Sequence, residues 1–148
     1  MGCHLSFFSL KNFILNNYKG FKDLNCYKKG RDLRQSISKL CLKFPKEEKY
    51  ELISQIKRAS RSVTANIAEG YGRFTFTDTR HFFIMARGSV TETMDHLITA
   101  YDEKYLNEEE LNIEQEKCEM VFKLINGFIS YLDKSKKGKS TTLQIPNS

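Results

Sequence analysis

Few residues of this chain combine the types and the spacing that enzyme or metal chemistry needs. His4, His81 and His96 are scattered, and the last two stand 15 positions apart, about four turns of a helix, so they cannot hold one metal ion together. No glycine-rich phosphate loop, nucleophile elbow or HExxH motif is present. We therefore expect no enzymatic activity, no metal site and no cofactor. The cysteines, which form no CxxC pair, are Cys3, Cys26, Cys41 and Cys118.

The spacing of the cysteines and the length of the apolar runs both indicate the cellular location of the protein. Separated cysteines without a nearby histidine are typical of free thiols in a reducing cytoplasm. No run approaches the ~18 apolar residues of a transmembrane helix, and no basic residue precedes the first apolar run as it would in a secretory signal. Gly2 and Ser6 fit the myristoylation pattern, so a lipid anchor stays open as the alternative. We expect a cytoplasmic protein without a membrane span, whose residues 1–20 form a flexible extension.

Positive charge is concentrated in the first half of the chain. Residues 1–74 hold 15 Lys and Arg against 6 Asp and Glu, a net charge of +9. Residues 75–133 hold 5 basic and 12 acidic residues, a net charge of −7, and residues 134–148 add four lysines, so the whole chain reaches +6. This asymmetry predicts an electrostatic partner for the basic half, either nucleic acid or the acidic half of a second copy.

A group of cations in the stretch Gln55–Arg73 is the strongest candidate for a binding site. Lys57 and Arg61 are one helical turn apart, and with Arg58 they project from a face separate from the apolar positions. Such cations neutralise phosphates, which needs charge and reach but no fixed geometry. The alternative is a solvated face that forms salt bridges with the acidic fourth helix. The six candidates, of which the last three are expected to extend the patch along a groove, are Lys57, Arg58, Arg61, Arg73, Arg80 and Arg87.

Four stretches with apolar residues three or four positions apart must position these candidates. They cover residues 23–44, 46–69, 77–104 and 108–134. Helices joined by short links predict an all-α protein, an antiparallel up-and-down four-helix bundle over residues 21–133. Residues 134–148 lack periodicity and are predicted to be a disordered basic tail. On the third stretch the residues expected to face the core are Phe83, Ala86, Val90, Met94, Leu97 and Tyr101.

Helix ends are indicated by residues with capping and stopping preferences. Asp23 is the predicted N-cap of the first helix, and Pro45 its stop. Thr77 resembles the start of the third helix, and Asn107 is the predicted N-cap of the fourth. Together these signals place each helix boundary at a short link between apolar stretches.

Four polar or small residues at the end of the second helix have predicted structural roles. Gly70 and Gly72 end this helix and are expected to adopt positive backbone angles at a tight exit. Asn66 and Glu69 are expected to satisfy exposed backbone donors or an interhelical partner there. Glu69 is also the one carboxylate considered as a general base, although no partner with a tuned pKa stands beside it.

The stretch QIKRASRSVTANIAEGYGR, Gln55 to Arg73, resembles a signature close to QIRRAxxSIxxNIAEGxGR. That signature belongs to the bacterial 23S ribosomal RNA intervening-sequence proteins. The resemblance extends from FKDL, Phe21 to Leu24, through the dipeptide Phe44–Pro45, to ARGSVTE, Ala86 to Glu92, and covers about residues 20–133. It implies a four-helix bundle that assembles as a ring-like homopentamer without catalytic activity.

The family resemblance also implies a setting that involves nucleic acid. Members are typically encoded within insertions in the large-subunit ribosomal RNA gene, and related bundles act as accessory proteins of diversity-generating retroelements, where they bind a reverse transcriptase and its RNA. The leading hypothesis is therefore a non-enzymatic oligomer that binds RNA or DNA through a basic surface. The alternatives are a protein-interaction scaffold or an accessory subunit of a nucleic-acid enzyme such as a reverse transcriptase, and an enzyme whose site forms only between subunits.

Overall fold

The computed structural model describes residues 20–73 and 75–141 of the chain, with side chains as far as residue 136. These residues form four α-helices and no strand. The helices are α1 (Asn25–Leu40), α2 (Leu52–Gly72), α3 (Phe76–Asp102) and α4 (Glu108–Thr141). The predicted all-α protein with four helices is confirmed, whereas the predicted N-terminal extension lies outside the described residues except for Gly20.

The first helix is shorter than predicted at both ends. Two 3-10 turns, Phe21–Asp23 and Cys41–Lys43, take the place of its expected first and last turns. Leu24 and not Asp23 is the N-cap residue. Phe44 has extended backbone angles because the ring of Pro45 disfavours a helical residue before it. The helix therefore ends at Leu40, ahead of the proline.

The second helix begins at Leu52, later than the predicted Lys46. Lys46–Tyr50 form a further 3-10 turn, and Glu51 has backbone angles outside the helical range. The Leu52 amide, one of the groups that a helix start leaves without a partner, donates a hydrogen bond of 3.0 Å to the carboxylate of Glu48. This side-chain cap sets the start of α2, and apolar periodicity does not register it.

The third helix begins one residue before the predicted Thr77. Thr75 is its N-cap, and the Thr75 hydroxyl accepts a hydrogen bond of 3.2 Å from the Asp78 amide. Near the other end of α3, Tyr101 was expected in the core but its side chain is 39% exposed. The buried stripe of α3 continues through Leu97 and Ala100, so Tyr101, one residue further on and rotated by about 100°, lies at the edge of that stripe.

The fourth helix has the predicted cap and a longer body. Asn107 Oδ1 accepts a hydrogen bond of 2.8 Å from the Glu110 amide, and Glu110 Oε2 accepts one of 3.0 Å from the Asn107 amide, a reciprocal capping box. The helix continues to Thr141. Residues 134–141 of the predicted disordered tail are therefore helical, and residues 142–148 lie outside the described residues.

Buried apolar side chains form one core among the four helices. The pairs α1–α2, α2–α3, α3–α4 and α1–α4 all pack against each other, and α2–α3 is the most extensive. Fully burying a side chain such as leucine or phenylalanine contributes about 1.5–3 kcal/mol. The largest fully buried apolar side chains are Leu33, Ile37, Ile56, Ile67, Phe83, Leu97, Ile125 and Leu132.

Polar contacts between α3 and α4 occur in opposite chain order. Arg80 contacts Asp133, and Arg87 contacts Asn126, so residue numbers rise along α3 as they fall along α4. This order is compatible with neighbouring helices that run in opposite directions.

Three buried cysteines provide a test of the core. Burial raises the pKa of Cys26 to about 11 and that of Cys118 to about 12, and it also raises the pKa of Cys41. The thiolate is the nucleophile that attacks an alkylating reagent, so a protonated buried thiol does not react. In a Cys3→Ser variant we expect no labelling of the native chain near neutral pH and labelling of three thiols in denaturant, as measured by mass spectrometry.

The raised thiol pKa values also make stability depend on pH. In the unfolded chain these thiols ionise at pH about 9, whereas in the folded chain Cys26 and Cys118 stay protonated until pH about 11 and 12. Above pH about 9 the unfolded state binds fewer protons, so the free energy of unfolding falls as the pH rises toward 12. Rapid labelling of the native variant, or a urea-unfolding free energy that is flat across this range, would contradict the burial of these thiols.

Candidate nucleic-acid interface

Three cations on the outer side of α2, Lys57, Arg58 and Arg61, are here called the α2 cluster. Arg58 and Arg61 are exposed and Lys57 is half-buried. None of the three has an ion-pair partner within residues 20–73 and 75–136. Within one chain, therefore, the cluster does not form the salt bridges with the fourth helix that the alternative interpretation requires. Its charge is available to a partner.

Arg61 also borders an open groove between α1 and α2, here called the α1–α2 groove. The groove has a volume of about 880 Å³. Cations from both helices stand on its rim, and no carboxylate is among the described residues that line it. The lining residues are Phe21, Tyr27, Arg34, Gln35, Ser38, Lys39, Arg61, Thr64, Ala65 and Ala68.

Arg34 and Lys39 bring α1 into the candidate interface, and sequence reasoning missed both. Arg34 Nη1 donates a hydrogen bond of 2.7 Å to Thr64 Oγ1 on α2, so its half-buried guanidinium is held beside the α2 cluster. The sequence signal was the position of Arg34 next to Leu33 on the edge of the apolar stripe. This signal was not decisive, because the apolar stripe of α1 does not indicate which neighbouring helix packs beside its edge.

Arg73 lies beyond the end of α2 and is partly engaged within the chain. Its Nη2 forms an ion pair of 2.8 Å with Glu69 Oε1, and its guanidinium lies 4.9 Å from the centre of the Phe82 ring. The side chains of Arg73 and Glu69 are 47% and 51% exposed, so this pair contributes little to stability. Glu69 thus has a cationic partner four residues along the chain, and Asp78 of α3 lines the same open groove as both residues.

Arg80 and Arg87 contact α4 rather than the α2 cluster. Arg80 Nε and Nη2 donate to the two carboxylate oxygens of Asp133 at 2.8 and 3.4 Å. Arg87 Nη1 donates to Asn126 Oδ1 at 2.9 Å. The expected extension of the patch along one groove is therefore wrong for these two residues, because the face of α3 that carries them packs beside α4.

Asn66 joins a hydrogen-bonded chain between α2 and α3. Its Nδ2 donates to the Ser62 carbonyl and hydroxyl oxygens on the same helix, each at 3.0 Å. The expected partners were backbone donors or a residue of another helix, and Asn66 reaches α3 only through Ser62. Ser89 Oγ of α3 lies 3.0 Å from Ser62 Oγ and also donates to the Met85 carbonyl oxygen at 3.1 Å. This polar chain crosses the most extensive helix interface.

The two signature glycines do not adopt positive backbone angles. Among the described residues only Gly20 and Lys104 have positive φ, and the chain leaves α2 through an extended Arg73. Gly70 serves close packing: a Cβ atom there would lie 2.9 Å from Phe82 Cβ on α3. Gly72, the last residue of α2, has open space where its Cβ would be. The exit needs no left-handed residue because it opens into extended backbone.

A buried carboxylate between α1 and α4 is a polar cluster that sequence reasoning missed. Glu114 Oε1 accepts hydrogen bonds from Ser36 Oγ at 2.6 Å and Lys117 Nζ at 2.7 Å, and Lys117 Nζ lies 2.6 Å from Ser36 Oγ. These residue types occur in hydrolytic sites, but inside helices the backbone amides are already bonded and cannot form an oxyanion hole. The trio holds α1 to α4. Its signal was an acidic residue on the apolar stripe between Leu111 and Cys118.

The described residues hold no group of three or more His, Cys, Asp or Glu side chains arranged to bind a metal ion. Over the same part of the chain, none of the helices has the length and apolarity needed to cross a membrane.

The fold and its surface define a class: a small all-helical protein with four helices that presents unpaired cations on the outer side of its second helix. Residues 22–127 match the family described as 23S rRNA-intervening sequence protein. Since the match covers more than half of the chain, the protein belongs to this family, which confirms the resemblance seen in the sequence. A comparison with curated proteins found no match.

Proposed function

We propose that this protein is a non-enzymatic, cytoplasmic homo-oligomer that binds RNA or DNA through the α2 cluster. The observation that carries the proposal is the presence of Lys57, Arg58 and Arg61 on one helix, without an ion-pair partner among the described residues. Unpaired cations release the counterions of nucleic acid when they neutralise phosphates, and this release supplies most of the affinity of sequence-independent binding.

The other candidate cations have a supporting role in this proposal. Arg80 is bound to a carboxylate and Arg87 to an amide of α4, so a phosphate would have to compete with these contacts. Arg73 also has a carboxylate partner, but the pair is exposed and easily exchanged for a phosphate. The free energy gained per contact should therefore be greatest at the α2 cluster.

The proposed architecture is an antiparallel up-and-down bundle that assembles as a homopentamer. The opposed chain order of the α3–α4 contacts supports the antiparallel arrangement. Opposite charges on one protomer support self-association, because cations outside the α2 cluster can face an acidic surface on a second copy. Such head-to-tail contacts form a ring when the rotation between copies closes. The exposed acidic residues around the α3–α4 connection are Asp102, Glu103, Glu108 and Glu109.

Those exposed acidic residues also favour a second candidate function. In that case the α2 cluster contacts protein, and the chain is a scaffold or an accessory subunit of a nucleic-acid enzyme such as a reverse transcriptase. The same cations cannot face a protein surface and a phosphate backbone at once. Measurements of mass and of RNA binding on one variant therefore separate the two functions.

We expect the triple variant Lys57→Ala, Arg58→Ala, Arg61→Ala to bind a structured RNA about 10- to 100-fold more weakly at moderate salt, with a flatter dependence on salt. The fold should persist because alanine is the strongest helix former and none of the three replaced residues is buried. Fluorescence anisotropy across a salt series measures the affinity, and light scattering measures the mass against multiples of 17.3 kDa, with five copies expected.

The matched control removes three charges from α1, in the variant Lys28→Ala, Lys29→Ala, Arg31→Ala. It should weaken binding far less if the α2 cluster contacts the phosphates. If the two triple variants bind RNA equally, the nucleic-acid role of the cluster is wrong. If the α2 variant instead loses its oligomeric state while RNA binding is unchanged, the scaffold function is favoured.

A further inference from the structure

The α1–α2 groove combines a cationic rim with aromatic rings at one end. Arg34, Lys39 and Arg61 supply the charge, while the rings of Phe21 and Tyr27 contact each other edge to face at 4.9 Å. Proteins that bind unpaired nucleic acid combine a positive groove along the backbone with rings on which bases stack. We infer that this groove binds a short single-stranded segment of RNA, an inference that rests on the proposed nucleic-acid binding.

The length and width of the groove fit one strand and not two. From Tyr27 to Lys39 the groove follows 12 residues of α1, or about 18 Å, which is the length of about five stacked nucleotides at ~3.4 Å each. Packed helices have axes only about 8–10 Å apart, so the groove between them is too narrow to enclose the two paired strands of a duplex. A duplex would contact the rim only.

The rim is prepared for phosphates by its contact with the groove floor. The bond from Arg34 to Thr64 uses one of the five guanidinium N–H donors and orients the rest. Thr64 is itself fixed, because its hydroxyl donates to the Arg61 carbonyl oxygen at 3.1 Å. Little side-chain entropy is then lost when a phosphate binds, which favours affinity through preorganisation.

The remaining lining residues favour RNA over an acidic protein segment. Ala65 and Ala68 form a small, low floor that lets a strand approach closely. Gln35 and Ser38 offer neutral donors and acceptors, which suit base edges and the ribose 2′-hydroxyl. A base can stack its flat face on a half-buried aromatic ring, whereas the carboxylates of an acidic helix cannot form this contact.

The test compares a single-stranded RNA of about ten nucleotides with a blunt-ended RNA duplex of equal length, both labelled and measured by fluorescence anisotropy. Tyr27→Leu should weaken binding of the single strand about tenfold and leave duplex binding unchanged, because the bases of a duplex are stacked on each other and cannot reach the ring. Its control is Tyr50→Leu at the exposed α1–α2 connection, where the side chain is 83% exposed. Single-stranded DNA of the same sequence measures the contribution of the 2′-hydroxyl.

A second pair of variants tests the rim independently of the ring. Arg34→Gln with Lys39→Gln should weaken single-strand binding about tenfold more than Lys28→Gln with Arg31→Gln, which removes equal charge from the side of α1 that faces α4. Ala65→Glu, at an exposed helix position, places a carboxylate on the groove floor and should have the same effect while the fold is unchanged.

Three results would overturn the groove site. Equal affinity for single strand and duplex, together with no effect of Tyr27→Leu, would leave the α2 cluster as a duplex-tolerant surface and the proposed function intact. Loss of the oligomer in Ala65→Glu with unchanged RNA binding would assign the groove to a second copy. Absence of any RNA binding by the wild-type chain would remove the proposed function itself.

Discussion

Replacing Phe83 with alanine is expected to lower the free energy of unfolding by about 3–5 kcal/mol. Phe83 is fully buried, and its ring stacks on that of Phe128 of α4 at a centroid distance of 4.2 Å. The same ring lies against Gly70 of α2, so one side chain joins three helices. Truncation removes apolar burial and leaves a cavity that three packed helices cannot readily close.

Urea unfolding followed by circular dichroism measures this change, and the matched control is Met85→Ala on the same helix. Met85 is 44% exposed, so its truncation should change stability by less than about 0.5 kcal/mol. If both variants lost equal stability, the core would not be centred on Phe83. A changed denaturant slope for Phe83→Ala would indicate an altered unfolded or native state instead of a simple cavity.

Gly70→Ala is expected to destabilise the protein by about 1–3 kcal/mol, although alanine is the better helix former. The added methyl group would lie 2.9 Å from Phe82 Cβ, closer than Cβ atoms approach other atoms in real structures, and 3.0 Å from Phe83 Cδ2, which is tighter than most Cβ contacts. Relief requires α2 and α3 to move apart across their most extensive interface. Overpacking therefore outweighs the gain in helix propensity.

The control for Gly70 is Gly88→Ala, in the interior of α3, where the added Cβ has no neighbour within 4 Å. There the helix propensity of alanine acts alone and should stabilise by about 0.5–1 kcal/mol. The two glycine substitutions are thus expected to change the urea midpoint in opposite directions. A shift in the same direction for both would refute the close approach of α2 and α3 at Gly70.

Apolar spacing was sufficient to predict the four helices, because each buries one stripe and the stripe recurs every three or four residues. It was not sufficient to predict their ends. The start of α2 depends on a side-chain cap from Glu48, and the persistence of α4 beyond residue 134 is a property of a polar segment without an apolar stripe. Neither the Glu48 cap nor the polar end of α4 changes the spacing of apolar residues, so this spacing could not predict them.

The candidate site was predicted only in part, for a geometric reason. The spacing of Lys57 and Arg61 correctly put them on one side of a helix. The helix that lies beside this cationic side of α2 is determined by how the four helices arrange their apolar stripes around one core. The spacing of apolar residues within one helix does not contain that information. Arg34 was therefore missed, while Arg80 was assigned to the wrong neighbour.

The role of Gly70 shows the same limit at smaller scale. A glycine near a helix end is typical of a left-handed exit, and that was the prediction. The alternative is a glycine that lets a second helix approach. It depends on the distance between α2 and α3, which the sequence does not give. Only the position of Phe82 on α3 distinguishes the two.

The contact that joins α1 to α4 has a consequence for the order in which the protein folds. Ser36 and Glu114 are 78 positions apart, whereas the α2–α3 contact between Ser62 and Ser89 spans 27. Closing a longer loop costs more chain entropy, so the helical hairpin of α2 and α3 is expected to form first and the docking of the two outer helices on each other last. A nascent chain emerging from the ribosome would therefore assemble the family signature and its neighbouring helix before α4 exists to close the bundle.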